Sequence, residues 1–177
     1  MKKSWIFAGI AVLVLAIVVV AGGIRLFRGS LSGDNEIPIV YTDATGAFKA
    51  SINSDETQIE WELSYSGLES DVRQAHIHVG TKEQNGGIAV WLCDSVQNPG
   101  PTDTVCPQSG TISGTISSTN VIGPASQGVS PGEFSALIRA IRDGNTYANV
   151  HTATSPGGEI RSQLKPGRGH RGHGDGN

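Results

Sequence analysis

The chain has 177 residues, 37% of them hydrophobic, with 13 basic and 16 acidic side chains and a formal charge of −3. Lys2, Lys3, Arg25 and Arg28 sit at one end, so the rest of the chain is more acidic than the total suggests. Without a basic patch interleaved with aromatics, nucleic-acid binding is excluded, and the length suits one domain with a real core.

Met1-Lys2-Lys3-Ser4 is basic, and Trp5 to Ile24 then runs without a charge. A helix crosses a bilayer core with about 20 apolar residues. A signal peptide carries a shorter apolar stretch, roughly 7–15 residues, before a small-residue cleavage site. The length favours an uncleaved single-pass anchor within residues 1–28, although Val19-Val20-Ala21 would serve a cleaved signal. Both readings place the remainder outside the cytoplasm, tethered to the cell membrane or secreted. The basic residues flanking the apolar run give a small positive-inside margin for that orientation.

Residues 29–165 read as one β domain, entered through a short linker, Gly29 to Ser32. Short strand-like runs alternate with Gly, Asn, Asp and Pro, the pattern of an antiparallel sandwich or barrel. Phe48, Ala50 and Ile52 alternate with Lys49 and Ser51. Ile59, Trp61, Leu63 and Tyr65 alternate with Glu60, Glu62 and Ser64, the clearest half-buried strand of the chain. Ala75 to Val79 follows, then the turn Asn85-Gly86-Gly87 and a continuous apolar run, Ile88 to Cys93, expected as a central strand. Thr111 to Ile116 is rich in β-branched residues and predicts another strand. Phe134, Leu137, Ile138 and Ile141 break the period with the i, i+3, i+4, i+7 spacing of a helix face. Ser130, Pro131 and Glu133 predict its start, and Gly144 its end. In the last strand, Ile160 and Leu164 are expected to face inward and Glu159, Arg161 and Gln163 outward. Residues 166–177 hold no apolar side chain to bury and are expected to be a disordered tail, in which His170 and His173 would bind metal only weakly.

Three histidines carry the functional signal. His76 and His78 alternate with Ala75, Ile77 and Val79, and His151 follows Val150. Successive strand side chains point to opposite faces, so all three imidazoles are expected on the outer wall of the β structure. If their strands are neighbours, they form a surface cluster able to hold a metal ion. Imidazole suits copper and zinc alike. Asn149 shares the face of His151, and together with Glu159 and Arg161 it would make a polar cluster beside the histidines.

Cys93 and Cys106 are the two cysteines and bracket a loop rich in Pro, Asp and Asn. Their spacing fits neither a Cys-x-x-Cys redox motif nor a zinc knuckle. That favours a disulfide, stable in an oxidising compartment, over two free thiols or a metal pair.

The segments Leu31-Ser32-Gly33-Asp34-Asn35-Glu36-Ile37-Pro38, Ala75-His76-Ile77-His78-Val79-Gly80, Asn85-Gly86-Gly87, Gly123-Pro124, Tyr147-Ala148-Asn149-Val150-His151-Thr152 and Pro156-Gly157-Gly158-Glu159-Ile160-Arg161-Ser162-Gln163-Leu164 occur in one order and spacing. In that order they resemble the CHRD domain, first named from chordin and found also in bacterial and archaeal proteins. Ser162 stands where that family usually has glycine. The resemblance covers roughly Leu31 to Leu164 and implies an immunoglobulin-sized β-sandwich or barrel, without a settled activity. In chordin the domain belongs to an extracellular protein that binds growth factors. The cysteine-rich modules beside it there are not found in this chain, so that ligand does not transfer.

Two functions follow. One is a non-catalytic extracellular binding or structural module with a protein or glycan partner, in which His76, His78 and His151 either hold a copper or zinc ion or form a hydrogen-bonded polar cluster without one. The other is a copper-dependent redox protein, because the His-x-His strand is similar to the copper-binding strand of the Greek-key Cu/Zn superoxide dismutase. That enzyme uses four copper-binding histidines and a separate zinc cluster, for which this chain offers no further histidine-rich loop. A hydrolase has no support, since no Gly-x-Ser-x-Gly elbow is present.

Overall fold

The computed structural model describes residues 25–167. Residues 1–24, which hold the apolar run of the expected 1–28 anchor, and the tail from residue 168 onward lie outside the described residues, whereas residues 26–28, counted with that anchor, instead open the first strand. Among the described residues, no helix is long and apolar enough to cross a membrane. The chain runs through β1 (Leu26–Ser32), β2 (Thr45–Ile52), β3 (Ile59–Ser66), β4 (Val72–Val79), β5 (Gly87–Asp94) and β6 (Gly110–Ile116). Then come helix α1 (Phe134–Arg142), β7 (Thr146–Thr152), β8 (Ile160–Gln163) and the two-residue β9 (Lys165–Pro166).

Eight strands pair antiparallel in the order β5-β4-β7-β8-β1-β2-β3-β6, and β9 extends the pairing along β1. The sheet curls into a nearly closed barrel with β5 and β6 at its two ends. The chain that leaves β6 returns along β5, where the Ile122 N–H donates to the Ala89 carbonyl at 2.9 Å. The Tyr65 hydroxyl donates to the Pro107 carbonyl at 2.7 Å, tying β3 to the segment that enters β6.

Alternation builds the core as the sequence predicts. Phe48 lies opposite Leu63, Ala50 opposite Trp61 and Ile52 opposite Ile59, all of them buried. The Phe48 and Trp61 rings stack with centroids 6.4 Å apart. Gly29 to Ser32, expected as a linker, is instead part of β1, whose Phe27 and Leu31 enter the core. Small polar residues conceal this strand in the sequence, and Gly29 is small for a reason. A Cβ on it would lie 2.8 Å from the Ser162 hydroxyl oxygen, so this glycine makes room for Ser162 on β8.

Three further expectations change. β5 is an end strand, not a central one. Its apolar run is continuous because its register against β4 slips twice, leaving Leu92 and Ala89 as extra residues. Bulges of this kind break strict alternation, and the returning chain covers the free edge. Helix α1 begins at Phe134, three residues later than the Ser130-Pro131 start implies, because Gly132 has φ +80°. The Glu133 carboxylate still accepts the Ser130 N–H at 3.3 Å, half of a capping box. Gly144 ends the helix as predicted, with φ +72° and the paired bonds Gly144 N to Ile141 O and Asn145 N to Ala140 O. At the other end of the chain, Pro166, assigned to the tail, pairs with Phe27 in β9.

Cys93 and Cys106 form the expected disulfide across a sequence separation of 13. Closing a loop of that size restricts the unfolded chain. A Cys93→Ser/Cys106→Ser double variant is predicted to lose about 2–4 kcal/mol of unfolding free energy. Urea denaturation of the two proteins measures it, and an unchanged midpoint would count against the loop-closure account.

A buried imidazole triad on the outer wall

β4 and β7 are adjacent, and their register sets His76 opposite Asn149, His78 opposite Tyr147 and Gln74 opposite His151. Ala75, Ile77, Ala148 and Val150 point into the barrel and are fully buried. The three histidines therefore share its outer wall, as alternation predicts. They are not a surface cluster, however: His76 is 0%, His78 6% and His151 5% exposed. Loops fold over this wall. The Pro156 and Gly86 carbonyls contact His151 and His78, and the Trp91 indole lies edge-on to His76 with centroids 4.3 Å apart. Gly100 lies against the Trp91 ring so closely that a Cβ would sit 2.2 Å from it, which brings the disulfide-closed loop onto the same wall.

The carbonyls fix the tautomers. His78 Nδ1 is 3.0 Å from Gly86 O, and His151 Nδ1 is 3.0 Å from Pro156 O. A carbonyl oxygen only accepts, so each Nδ1 carries the proton and each Nε2 keeps its lone pair. These two Nε2 atoms lie 3.4 Å apart, and His76 Nδ1 lies 3.2 Å from His151 Nε2. The three nitrogens all fall within 4.8 Å of one another. Two imidazole nitrogens on one tetrahedral ion are about 3.4 Å apart, given metal–nitrogen bonds of about 2.1 Å. His76 Nε2, on the far side of its ring, is buried without a hydrogen-bond partner.

The polar residues expected beside the triad divide into separate roles. Arg161 is buried and donates to Asn85 Oδ1 and to the Thr81 and Gln84 carbonyls. Its guanidinium lies 3.7 Å from the Tyr147 ring centroid, and Tyr147 stacks on His78 with centroids 4.8 Å apart. The Tyr147 hydroxyl accepts the Gly86 N–H at 2.9 Å. Arg161 and Tyr147 thus hold the turn whose Gly86 carbonyl orients His78. Gly86 has no substitute here, because a Cβ would fall 1.6 Å from Val79 O. Glu159 makes no bond to a histidine. It accepts from the Thr42 hydroxyl, the Glu69 N–H and the Thr152 hydroxyl, fastening three segments together. Asn149 lies between His76 and Arg161 in register, with its Oδ1 buried and unpartnered.

The sequence reading gave no functional role to Tyr147, Trp91 or Glu36. Tyr147 shares the strand face of His151 and could have been found by the same alternation. Glu36 comes from the loop after β1, with no local pattern to mark it. It is 4% exposed, and its Oε1 has no partner. Burial pushes its carboxyl up to about 7, against the opposing pull of Arg161. Burial likewise holds the histidines neutral. His151 and His78 fall to about 4 and His76 to about 2, with the neighbouring imidazoles adding to the effect for the last two. At neutral pH the wall presents uncharged nitrogen donors, the form a metal requires.

Fold and site define an antiparallel β-barrel domain with a buried imidazole triad on its outer wall. The model of the CHRD domain family matches residues 27–164, and the chain belongs to that family. No curated protein matches the chain, and no solved structure matches it.

The shifts predict how stability follows pH in the metal-free protein. The histidines have lowered pKa values in the fold. Their contribution is complete above the unfolded value of 6.5 and is lost as pH falls from 6.5 toward 4 for His78 and His151 and toward 2 for His76. Glu36 is raised, so its contribution is present below 4.5 and is lost as pH rises toward 7. Between pH 6 and 5 the unfolded chain holds nearly three more protons on the histidines, and the fold about one more on Glu36. The net loss is on the order of 2–3 kcal/mol per pH unit on acidification. Urea titrations at several pH values in the presence of a chelator measure the slope; a flat profile would contradict buried neutral imidazoles.

Proposed function

We propose that this protein is an extracytoplasmic CHRD domain, tethered to the membrane by the apolar segment that precedes β1, that acts as a non-catalytic binding module and holds one transition-metal ion on His76 Nδ1, His78 Nε2 and His151 Nε2. One observation carries the metal reading: two ring nitrogens whose lone pairs are fixed by backbone carbonyls face each other at 3.4 Å, with a third imidazole nitrogen 3.2 Å from one of them. Lone pairs repel unless a cation lies between them. Metal-binding histidines commonly donate their other N–H to a carbonyl or carboxylate, the arrangement His78 and His151 have with Gly86 and Pro156. Copper and zinc are among the ions that suit imidazole.

Binding is favoured over dismutation because the triad is the one cluster of three or more His, Cys, Asp or Glu with metal-ligand geometry among the described residues. A separate zinc cluster has no counterpart there. Export is supported by the disulfide, which belongs to oxidising compartments, and tethering by the uncharged run Trp5 to Ile24. Outside the cell the exposed loops would meet a protein or glycan partner.

The test is metal content and affinity of the full chain in detergent micelles. His170→Ala and His173→Ala are included to remove the imidazoles of the tail. One copper or zinc ion per chain is predicted, with affinity reduced at least about 100-fold in a His78→Ala variant, a loss typical of removing one of three ligands rather than an outer partner. Retention of the wild-type affinity by His78→Ala, with an unchanged far-ultraviolet spectrum, would refute the site.

A further inference from the structure

Charge and coordination number decide which ion the triad takes, since imidazole alone accepts several. Among the described residues the cluster consists of three imidazoles with no carboxylate or thiolate in it. A divalent ion bound there would keep its full double charge in a buried site. A monovalent ion would keep a single charge, and the cost of burying an ion rises with the square of its charge, so the penalty differs about fourfold. A positive charge on the same wall worsens the case for a divalent ion: the Arg161 guanidinium stacks on Tyr147, which stacks on His78. Glu159 is not a ligand of the triad: its carboxylate accepts from Thr42, Glu69 and Thr152 and from no histidine.

Coordination number points the same way. Zinc is almost always four-coordinate, and with three protein ligands it keeps a water in the fourth position. Here the indole of Trp91 stands edge-on to His76, Tyr147 covers His78, and the three rings are at most 6% exposed. The wall is closed over the triad, where a fourth ligand from water would have to enter. An ion content with three nitrogens and no anion fits better.

We infer that the triad selects monovalent copper, Cu(I), over Zn(II), binding it through three neutral imidazole nitrogens. This rests on the metal-site reading above and specifies its ion.

The experiment uses the full chain in detergent, again with His170→Ala and His173→Ala. It is titrated without oxygen with Cu(I) against a chromophoric Cu(I) chelator, and separately with Zn(II) against a chromophoric zinc chelator. One equivalent of Cu(I) is expected to bind at least about 100-fold more tightly than Zn(II), or about 2.8 kcal/mol. X-ray absorption of the Cu(I) form is expected to give three nitrogen neighbours. Zn(II) binding as tightly as Cu(I), or more so, overturns the selectivity while leaving the metal site standing. Binding of neither ion overturns the site itself. A His78→Asp variant adds an anionic ligand and is expected to move the ratio toward Zn(II); an unmoved ratio in a folded variant counts against charge as the cause.

Discussion

The structure depends on how a β-barrel buries a polar outer face. In most antiparallel sheets one face packs on the core and the other meets water. Here β4 and β7 are buried on both faces: every residue of β7, and all of β4 from Ala75 onward, is out of solvent. The outward side chains are His, Asn and Tyr, so each ring nitrogen, amide and hydroxyl has to find a partner or stay unpaired at a cost of about 1–3 kcal/mol. The covering loops supply most of these partners from their backbones. Gly86 and Pro156 offer carbonyls to the histidines, and Gly86 offers its N–H to Tyr147.

Arg161 makes that cover possible. A turn laid over a sheet has carbonyls of its own to satisfy, and a buried guanidinium has five donors in a rigid fork. Three acceptors from the 81–85 turn meet it at 3.0 to 3.2 Å, and its flat face rests on Tyr147. Hydrogen bonds to a charged group contribute about 1.5–3 kcal/mol each, enough for this one side chain to set the position of the turn. The path from Arg161 through the turn to Gly86 and then to His78 Nδ1 is short. It converts a β8 residue into a determinant of which His78 nitrogen keeps its lone pair.

Much of this was legible in the sequence, and the illegible parts have physical reasons. Period-2 alternation gave β2, β3 and β4, and it placed His76, His78 and His151 on a common outer face. The i, i+3, i+4, i+7 spacing gave α1, and the cysteine spacing gave the disulfide. Alternation distinguishes inside from outside, but it cannot tell an outer face that meets water from one roofed by loops. For that reason the triad, Glu159 and Arg161 were expected at the surface. β1 was missed because Gly29, Ser30 and Ser32 carry no apolar signal, and at Gly29 the close approach of Ser162 leaves no room for a side chain. Glu36 was missed because it reaches the wall from a loop distant in sequence from every residue it affects.

A purely structural polar cluster and a binding site differ in how donors and acceptors are matched. A structural network alternates them, and Glu159 is the example here, with three donors around one carboxylate. The triad does not alternate. With both Nδ1 protons of His78 and His151 committed to carbonyls, their Nε2 atoms are acceptors facing each other. The one proton His76 can bring satisfies at most one of them. If Nδ1 carries it, His76 Nε2 is left as a buried acceptor; if Nε2 carries it, three acceptors converge and a buried N–H is unpaired. Neither tautomer closes the network, whereas one cation bound by three nitrogens removes the mismatch of acceptors at its centre. The backbone carbonyls that orient the imidazoles thereby set up a site whose chemical complement is positive charge.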